Sequence, residues 1–483
     1  MNKKMAVSKT IHCAAVDLGA TSGRVIVGTW AKNRLALTEV HRFPNQFRSI
    51  GGHDYWDLAG LWSEVVKGLR EAKKRFPKLA SVGVDTWGVD YVLVNDEGRM
   101  VFPTHAYRDA RTQPGLKRLA NTRAALERIY AATGIPNVFY NSSLQLEETV
   151  AHCPAVEDLA TRCLFLPDYF NFLLSGRMEN EITMASTTQL LDVHGTGWSR
   201  ATLDHFHIPS TWLTPPILSN TVLGPVKGLP EFKGVKVVAV PGHDTAAAYD
   251  AMPADPAGGD LFISSGTWSL VGFENDTPVL GAAALAARIS NERIGDGRYR
   301  PLTNVIGLWL LEQTLKDFTA RPCNDREWAA LINAAGKLPP PAALLDVTDP
   351  VFVNPPSMRA AIDGQLKRRK LPVPKTLAAY VRLICDSLGQ GHADAIRAFE
   401  RLAGRKFSRI LIVGGGSKNR LLCQATADAS GLPVVSLQIE GTAVGNLASQ
   451  LVALRAVKNK AAFRQLFGAG LPQTRYLPGA APR

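Results

Sequence analysis

Five short segments carry residue types that can do chemistry. In Asp17-Leu18-Gly19-Ala20-Thr21-Ser22-Gly23-Arg24 a carboxylate ends an apolar run and is followed by a glycine-bearing turn, two hydroxyls and a guanidinium. Backbone N–H groups of such a turn and an arginine bind phosphoryl oxygens, while an aspartate holds Mg²⁺ directly or through water. The same residues also suit an ordinary hairpin turn. Ser264-Ser265-Gly266-Thr267-Trp268-Ser269 is a second hydroxyl-rich turn, of a common kind when read alone. Gly414-Gly415-Gly416-Ser417-Lys418-Asn419 lets backbone approach a flat or anionic ligand, or simply leads into a helix. In Pro241-Gly242-His243-Asp244-Thr245, Asp244 either accepts a proton from a hydroxyl attacking phosphorus or caps the helix that follows. These roles are compatible, because a helix amino terminus also favours transferred negative charge. In Asp85-Thr86-Trp87-Gly88-Val89-Asp90, Trp87 either offers a flat face to a sugar ring or is core, and Gly88 leaves room beside the backbone.

The elements that must hold these residues follow from hydrophobic periodicity. Apolar runs at Ala14–Val16 and Arg24–Trp30 flank the first turn, and Asp260–Phe273 repeats the strand–turn–strand pattern about half a chain later. Two such hairpins so far apart predict a duplicated domain. Strands are expected at Ser81–Asp85, Tyr91–Val94, Val235–Val240 and Ile410–Val413, and helices at Asp57–Arg75, Leu308–Phe318 and Lys375–Leu402. Mixed strands and helices mean an α/β architecture. Pro339–Pro356 reads as irregular connection, and Tyr249–Gly259 as the boundary between lobes.

Composition removes several function classes. The chain has 483 residues, 46% hydrophobic and 20% charged, which is enough for two or three packed domains of roughly 100 to 250 residues. No apolar run approaches the roughly 18 to 20 residues of a membrane helix, and Met1–Lys9 is basic without an export signal's apolar core, so a cytoplasmic chain is expected. The six cysteines are scattered and expected to be reduced thiols. The formal charge of +13 is spread out, with Lys367-Arg368-Arg369-Lys370 the only dense run, and this argues against nucleic acid as a partner. There is no Walker phosphate loop, His-Glu-x-x-His helix or Gly-x-Ser-x-Gly elbow.

Taken in order, from about Ile11 to about Leu454, these segments resemble the FGGY carbohydrate kinases. Tyr107-Arg108-Asp109-Ala110-Arg111-Thr112, Pro167-Asp168-Tyr169-Phe170, Asn304-Val305-Ile306-Gly307-Leu308-Trp309-Leu310-Leu311 and Val413-Gly414-Gly415-Gly416 extend the likeness. The resemblance implies a two-lobed fold similar to actin and hexokinase, with duplicated ribonuclease-H-like domains and a central cleft. The lobes would span 1–249 and 250–455, with a tail over 456–483. It implies ATP and Mg²⁺ as cofactors, Asp244 as proton acceptor, and Asp17 at the metal. Gly88, His243, Asp244, Thr245 and Asn304, with Trp87, would contact a ketose. Ala20, Thr21, Ser22, Gly23, Arg24, Thr267, Glu312 and Gly415 would line the ATP site. Thr86–Asp90 and His243–Thr245 resemble the branch that phosphorylates L-rhamnulose at its 1-hydroxyl. Glycerol kinases are expected to carry arginine and glutamate where this chain has Gly88 and Val89, and Gln145 replaces the lysine of a Lys-x-x-Trp segment found in much of the family. Glu312 departs from that branch, which is expected to have glutamine there. L-fuculose, L-ribulose or L-xylulose are the alternative sugars, and a non-catalytic sugar sensor is the alternative role. A monomer or homodimer is expected.

Overall fold

A computed structural model describes residues 10–479, so the basic Met1–Lys9 segment lies outside the described residues. The chain forms two compact units. One contains the residues up to Pro253 together with Asn275–Pro301 and Glu440–Gly470; the other contains Ala254–Glu274, Leu302–Ile439 and the residues from Leu471 on. The break at Pro253 falls inside the expected boundary segment. The expected uninterrupted second lobe over 250–455 and separate tail over 456–483 are not what the units show, because 275–301 and 440–470 pack with the first unit.

The first unit is built on a sheet of β1 (Ile11–Leu18), β2 (Ser22–Ala31), β3 (Arg34–Pro44), β4 (Leu79–Thr86), β5 (Thr221–Pro225) and β6 (Lys236–Ala239), ordered β3-β2-β1-β4-β6-β5. β1, β2 and β3 form an antiparallel meander, and β4 and β6 continue the sheet parallel to β1. Central β1 is buried from Cys13 to Leu18, as a strand covered on both faces must be, whereas edge strand β3 is largely solvated. Helix α1 (Leu58–Arg75) buries Leu58, Leu61, Val65, Leu69 and Ala72, a stripe at helical spacing. Asp57 caps it by accepting the Gly60 N–H at 2.8 Å, and Lys73, Lys74 and Arg75 complement its carboxyl end. Helices α2 (Ser142–His152), α3 (Leu166–Ser175) and α4 (Asp244–Ala251) complete the parts that bear on chemistry.

The second unit repeats the plan with β7 (Asp260–Ser265), β8 (Trp268–Gly272), β9 (Tyr299–Ile306, in this unit from Leu302), β10 (Arg409–Val413), β11 (Val434–Leu437) and β12 (Gln473–Tyr476). Their order is β9-β8-β7-β10-β11-β12, again an antiparallel meander followed by parallel β10 and β11. The core of this unit gathers α5 (Trp309–Asp317), α6 (Leu377–Ala403) and α7 (Arg420–Ser430) around Leu310, Ile384, Leu388 and Leu422. Pro339–Pro356 is irregular apart from one short turn of helix at Pro350–Phe352.

Helix α8 (Gly441–Ala453) explains why the chain returns to the first unit. Its Gln450 donates to the Ala14 carbonyl at 2.9 Å and accepts from Ser81 at 2.6 Å, while Asn446 donates to the Gly83 carbonyl at 3.1 Å. α8 also crosses α4 closely: a Cβ at Gly445 would lie 1.8 Å from the Ala247 carbonyl oxygen, so only glycine permits that approach. Helix α9 (Lys460–Gly468) follows, with Phe463 and Arg464 buried. Among the described residues no helix is long and apolar enough to cross a membrane, and all six cysteines are free thiols.

Candidate functional site

Three neighbouring parallel strands of the first unit each deliver an aspartate at or beyond their carboxyl ends: Asp17 from β1, Asp85 from β4 and Asp244 after β6. Ligands of open α/β sheets gather at such ends. Asp17 and Asp85 are direct register partners. β4 then hands its edge to the Gly242–Asp244 segment, because Thr86 N–H donates to the Gly242 carbonyl at 2.8 Å and Thr86 pairs with His243.

Burial raises the pKa of both Asp17 and Asp85, and for Asp85, carried well above the usual range, the charge of Asp17 adds to the rise. Arg24 opposes the effect at Asp17 through contacts of 2.9 and 2.8 Å. Its other arm meets Glu440 at 2.8 Å, so the guanidinium is held at both ends. Asp85 accepts from Asn446 Nδ2 at 2.6 Å, while its buried Oδ1 has no hydrogen-bond partner. Paired carboxylates with an orphaned oxygen are a hard-oxygen donor set that fits Mg²⁺. Among the described residues no group of three or more His, Cys, Asp or Glu forms a metal cage.

The turn between β1 and β2 is stiffened from outside. Asn45 donates to the Gly19 carbonyl at 2.8 Å and its own N–H reaches the Thr21 carbonyl at 3.0 Å, while Gly19 N–H closes on Ser22 at 2.9 Å. Ala20 to Gly23 are thus presented in one fixed loop leading to Arg24.

Asp244 opens α4 and its side chain is 34% exposed. The capping position belongs to His243, which makes no side-chain cap. Asp244 Oδ1 instead accepts from Thr245 N at 2.5 Å and Thr245 Oγ1 at 3.1 Å, with His243 Nε2 at 3.3 Å. Behind it, buried Glu181 fixes the backbone by accepting from Gly242 N at 3.1 Å and Thr183 N at 2.9 Å. Gly88 faces His243, with a Cβ there reaching 3.3 Å from Nε2. Val89 takes φ of +70°, unusual for a β-branched residue, in a three-residue turn closed by Asp90 N–H on the Gly88 carbonyl at 3.0 Å. Ser142 Oγ holds the Val89 carbonyl at 2.6 Å.

Trp87 is 5% exposed and packs on Trp56 with ring centroids 4.3 Å apart, so its burial matches the core alternative. Both indole N–H groups converge on Asp90 Oδ2, at 2.7 Å from Trp87 and 2.6 Å from Trp56. Gln145 on α2 reaches Asp90 Oδ1 at 3.3 Å. Burial outweighs these donors and pushes the Asp90 carboxyl up to about 6.

The remaining expected residues lie in the second unit. Thr267 ends the β7–β8 turn, and its carbonyl accepts Gly307 N–H at 3.1 Å. The Gly414–Gly416 turn presses on the same place: Gly414 has φ of +82°, and a Cβ on Gly416 would lie 2.1 Å from Ser265 Oγ. Gly415 lies against Leu308 beside them. Asn304 sits on β9 opposite Leu270, and Glu312 on α5 forms an exposed ion pair with Arg321 at 3.1 Å.

Sequence reasoning missed Glu181, Glu440, Asn446 and Gln450 as members of this constellation, and with them Arg300, 2.6 Å from His243 Nδ1, and Glu292, 3.3 Å from it. A signal existed for two of them: Asn446 and Gln450 are polar residues at i and i+4 inside the apolar run of α8, a pattern that marks buried amides.

Comparison with known proteins supplies the lineage. A model of the FGGY family of carbohydrate kinases, N-terminal domain, matches residues 12–249, and its C-terminal counterpart matches 261–454. The chain is similar to rhamnulokinase of Klebsiella pneumoniae, 39% identical over 470 residues that cover 97% of this chain and 94% of the relative. It is equally similar to rhamnulokinase of Pectobacterium carotovorum, 39% identical with 99% and 94% covered. Among solved structures, xylulose kinase from Lactobacillus acidophilus superposes with a TM-score of 0.77 at 14% identity, covering 97% and 94%. Plasmodium falciparum glycerol kinase with ADP gives 0.79 at 13%, covering 97% and 94%. At these identities the structures speak for the fold alone.

Proposed function

Because the chain belongs to the FGGY family of carbohydrate kinases, we propose that this ATP-dependent sugar kinase phosphorylates the 1-hydroxyl of a ketose, converting L-rhamnulose to L-rhamnulose 1-phosphate. The observation that carries the reading is the carboxylate of Asp244, about one third exposed at the start of the helix that follows β6, with one oxygen fixed by Thr245 and the other left to accept. The choice of sugar is supported by the Gly88-Val89 pair, by Gln145, and by 39% identity to proteins named rhamnulokinase.

Asp244 accepts the hydroxyl proton while the sugar oxygen bonds to the γ-phosphorus and the bond to the departing ADP oxygen breaks. His243 and Thr245 hold the carboxylate, and the missing side chain at Gly88 keeps space beside it for the sugar. Arg24, steadied by Asp17 and Glu440, offers a cation to phosphoryl oxygens. Asp17 and Asp85 would hold Mg²⁺, which when bound offsets negative charge on the nucleotide. The hydroxyl- and glycine-rich turns at Thr267 and Gly415 would receive ATP through backbone groups.

A coupled ADP-release assay with MgATP and L-rhamnulose, L-fuculose, L-ribulose, L-xylulose or no sugar tests this. L-rhamnulose should lead by at least about tenfold in kcat/KM. A different leading ketose reassigns the substrate, and ADP release indifferent to every sugar makes the protein a sensor.

A further inference from the structure

The geometry points to Arg300 as a positioning residue that, with Glu292, fixes the tautomer of His243 and through it the orientation of the Asp244 carboxylate. This rests on the assignment of Asp244 as proton acceptor.

Arg300 has no exposed surface. Its Nη2 lies 2.6 Å from His243 Nδ1, and the same nitrogen donates to Glu292. A guanidinium can only donate, so at this distance Nδ1 must be the acceptor and the imidazole proton must sit on Nε2. The competing arrangement, Nδ1–H pointing at Glu292, would use a contact of 3.3 Å and force two N–H groups together at 2.6 Å. With its proton on Nε2, His243 turns that N–H edge toward Asp244, whose Oδ1 lies 3.3 Å away. Thr245 donates twice to that oxygen, so its two hydrogen bonds and the imidazole contact all fall on Oδ1 and leave Oδ2 for an acceptor hydroxyl.

Glu292 is what makes a buried arginine tolerable there. Burial alone would raise its carboxyl, but the guanidinium of Arg300 beside it is the largest influence that brings it down. Arg300 Nε is tied to the Arg293 carbonyl at 3.1 Å and Ser290 Oγ to Glu292 at 3.1 Å, so neither partner can swing away from His243. None of these contacts touches Asp244 directly, which is why the role is one of positioning.

Two measurements decide it. In ¹⁵N-histidine-labelled full-length protein, the resonances lost in His243→Gln identify His243, and the wild type should show a bare Nδ1 and a protonated Nε2. A proton on Nδ1 overturns the proposal, and this arm needs neither substrate nor a variant that must be active. In kinetics, Arg300→Gln alone strands a buried carboxylate and can unfold the chain, so Arg300→Gln with Glu292→Gln is the working variant. It should keep the wild-type KM for ATP and lose kcat about ten- to a hundredfold, with the Nδ1 tautomer now populated. Wild-type kcat in the folded double variant overturns the proposal. Failure of every ketose to be phosphorylated would instead remove the kinase reading while leaving the tautomer result intact.

Discussion

The two sheets share one plan and differ in what they place at its working end. In the first, the carboxyl ends of β1 and β4 carry Asp17 and Asp85 side by side, and Arg24 answers them from β2. At the matching places of the second, Ser264 stands opposite Val413 and Leu270, and the ligand-ready feature is backbone laid bare by glycines at 414 to 416. One copy ends in charge, the other in shape. Duplication supplied a scaffold twice, and the side chains at the strand ends divided the labour.

The largest test of that contrast removes charge from the first unit. Asp244→Asn should lower kcat by about a thousandfold while equilibrium binding of ATP stays within about twofold of the wild type. Near-normal turnover would mean that charge at this strand end is not the chemical instrument.

The next effect belongs to stability. Asp90 is raised from 3.8 to about 6 in the folded protein, so its contribution is complete below 3.8 and disappears as pH climbs through 6. The advantage of wild type over Asp90→Asn in urea unfolding should therefore shrink by about 2.4 kcal/mol between about pH 4 and about pH 8. A pH-independent difference would show the carboxyl to be ordinary.

The smallest probes shape in the second unit. Gly416→Ala drives a methyl onto Ser265 and should cost about 2 kcal/mol in thermal unfolding, with KM for ATP rising more than kcat falls. Adding Ser265→Gly should recover most of the loss. If KM for the ketose moved instead, the assignment of nucleotide contact to this turn would be lost.

Much of this contrast was legible in the sequence because it is local. Both hairpins, the capped helix after Asp57, the strand ending at Val413 and the strand before His243-Asp244 announce themselves through period and turn residues within about a dozen positions. What stayed hidden is held by pairs distant along the chain: Arg24 with Glu440, Asp85 with Asn446, His243 with Arg300. Local pattern carries no record of such partners. Trp87 was ambiguous for the opposite reason, since an aromatic at a strand end looks the same whether Trp56 or a sugar lies against it. The discontinuous first unit was missed because an apolar helix at 441–453 reads alike whichever sheet it covers.

That helix has a consequence for how the protein comes into being. Gln450 reaches back 436 positions to Ala14, so during synthesis the earliest strands wait for a helix made that much later. Until then the underside of β1 and β4 lacks its cover, and a transcript cut short before residue 440 yields a chain with an open hydrophobic face. Synthesis of α8 is thereby the checkpoint for completing the first sheet.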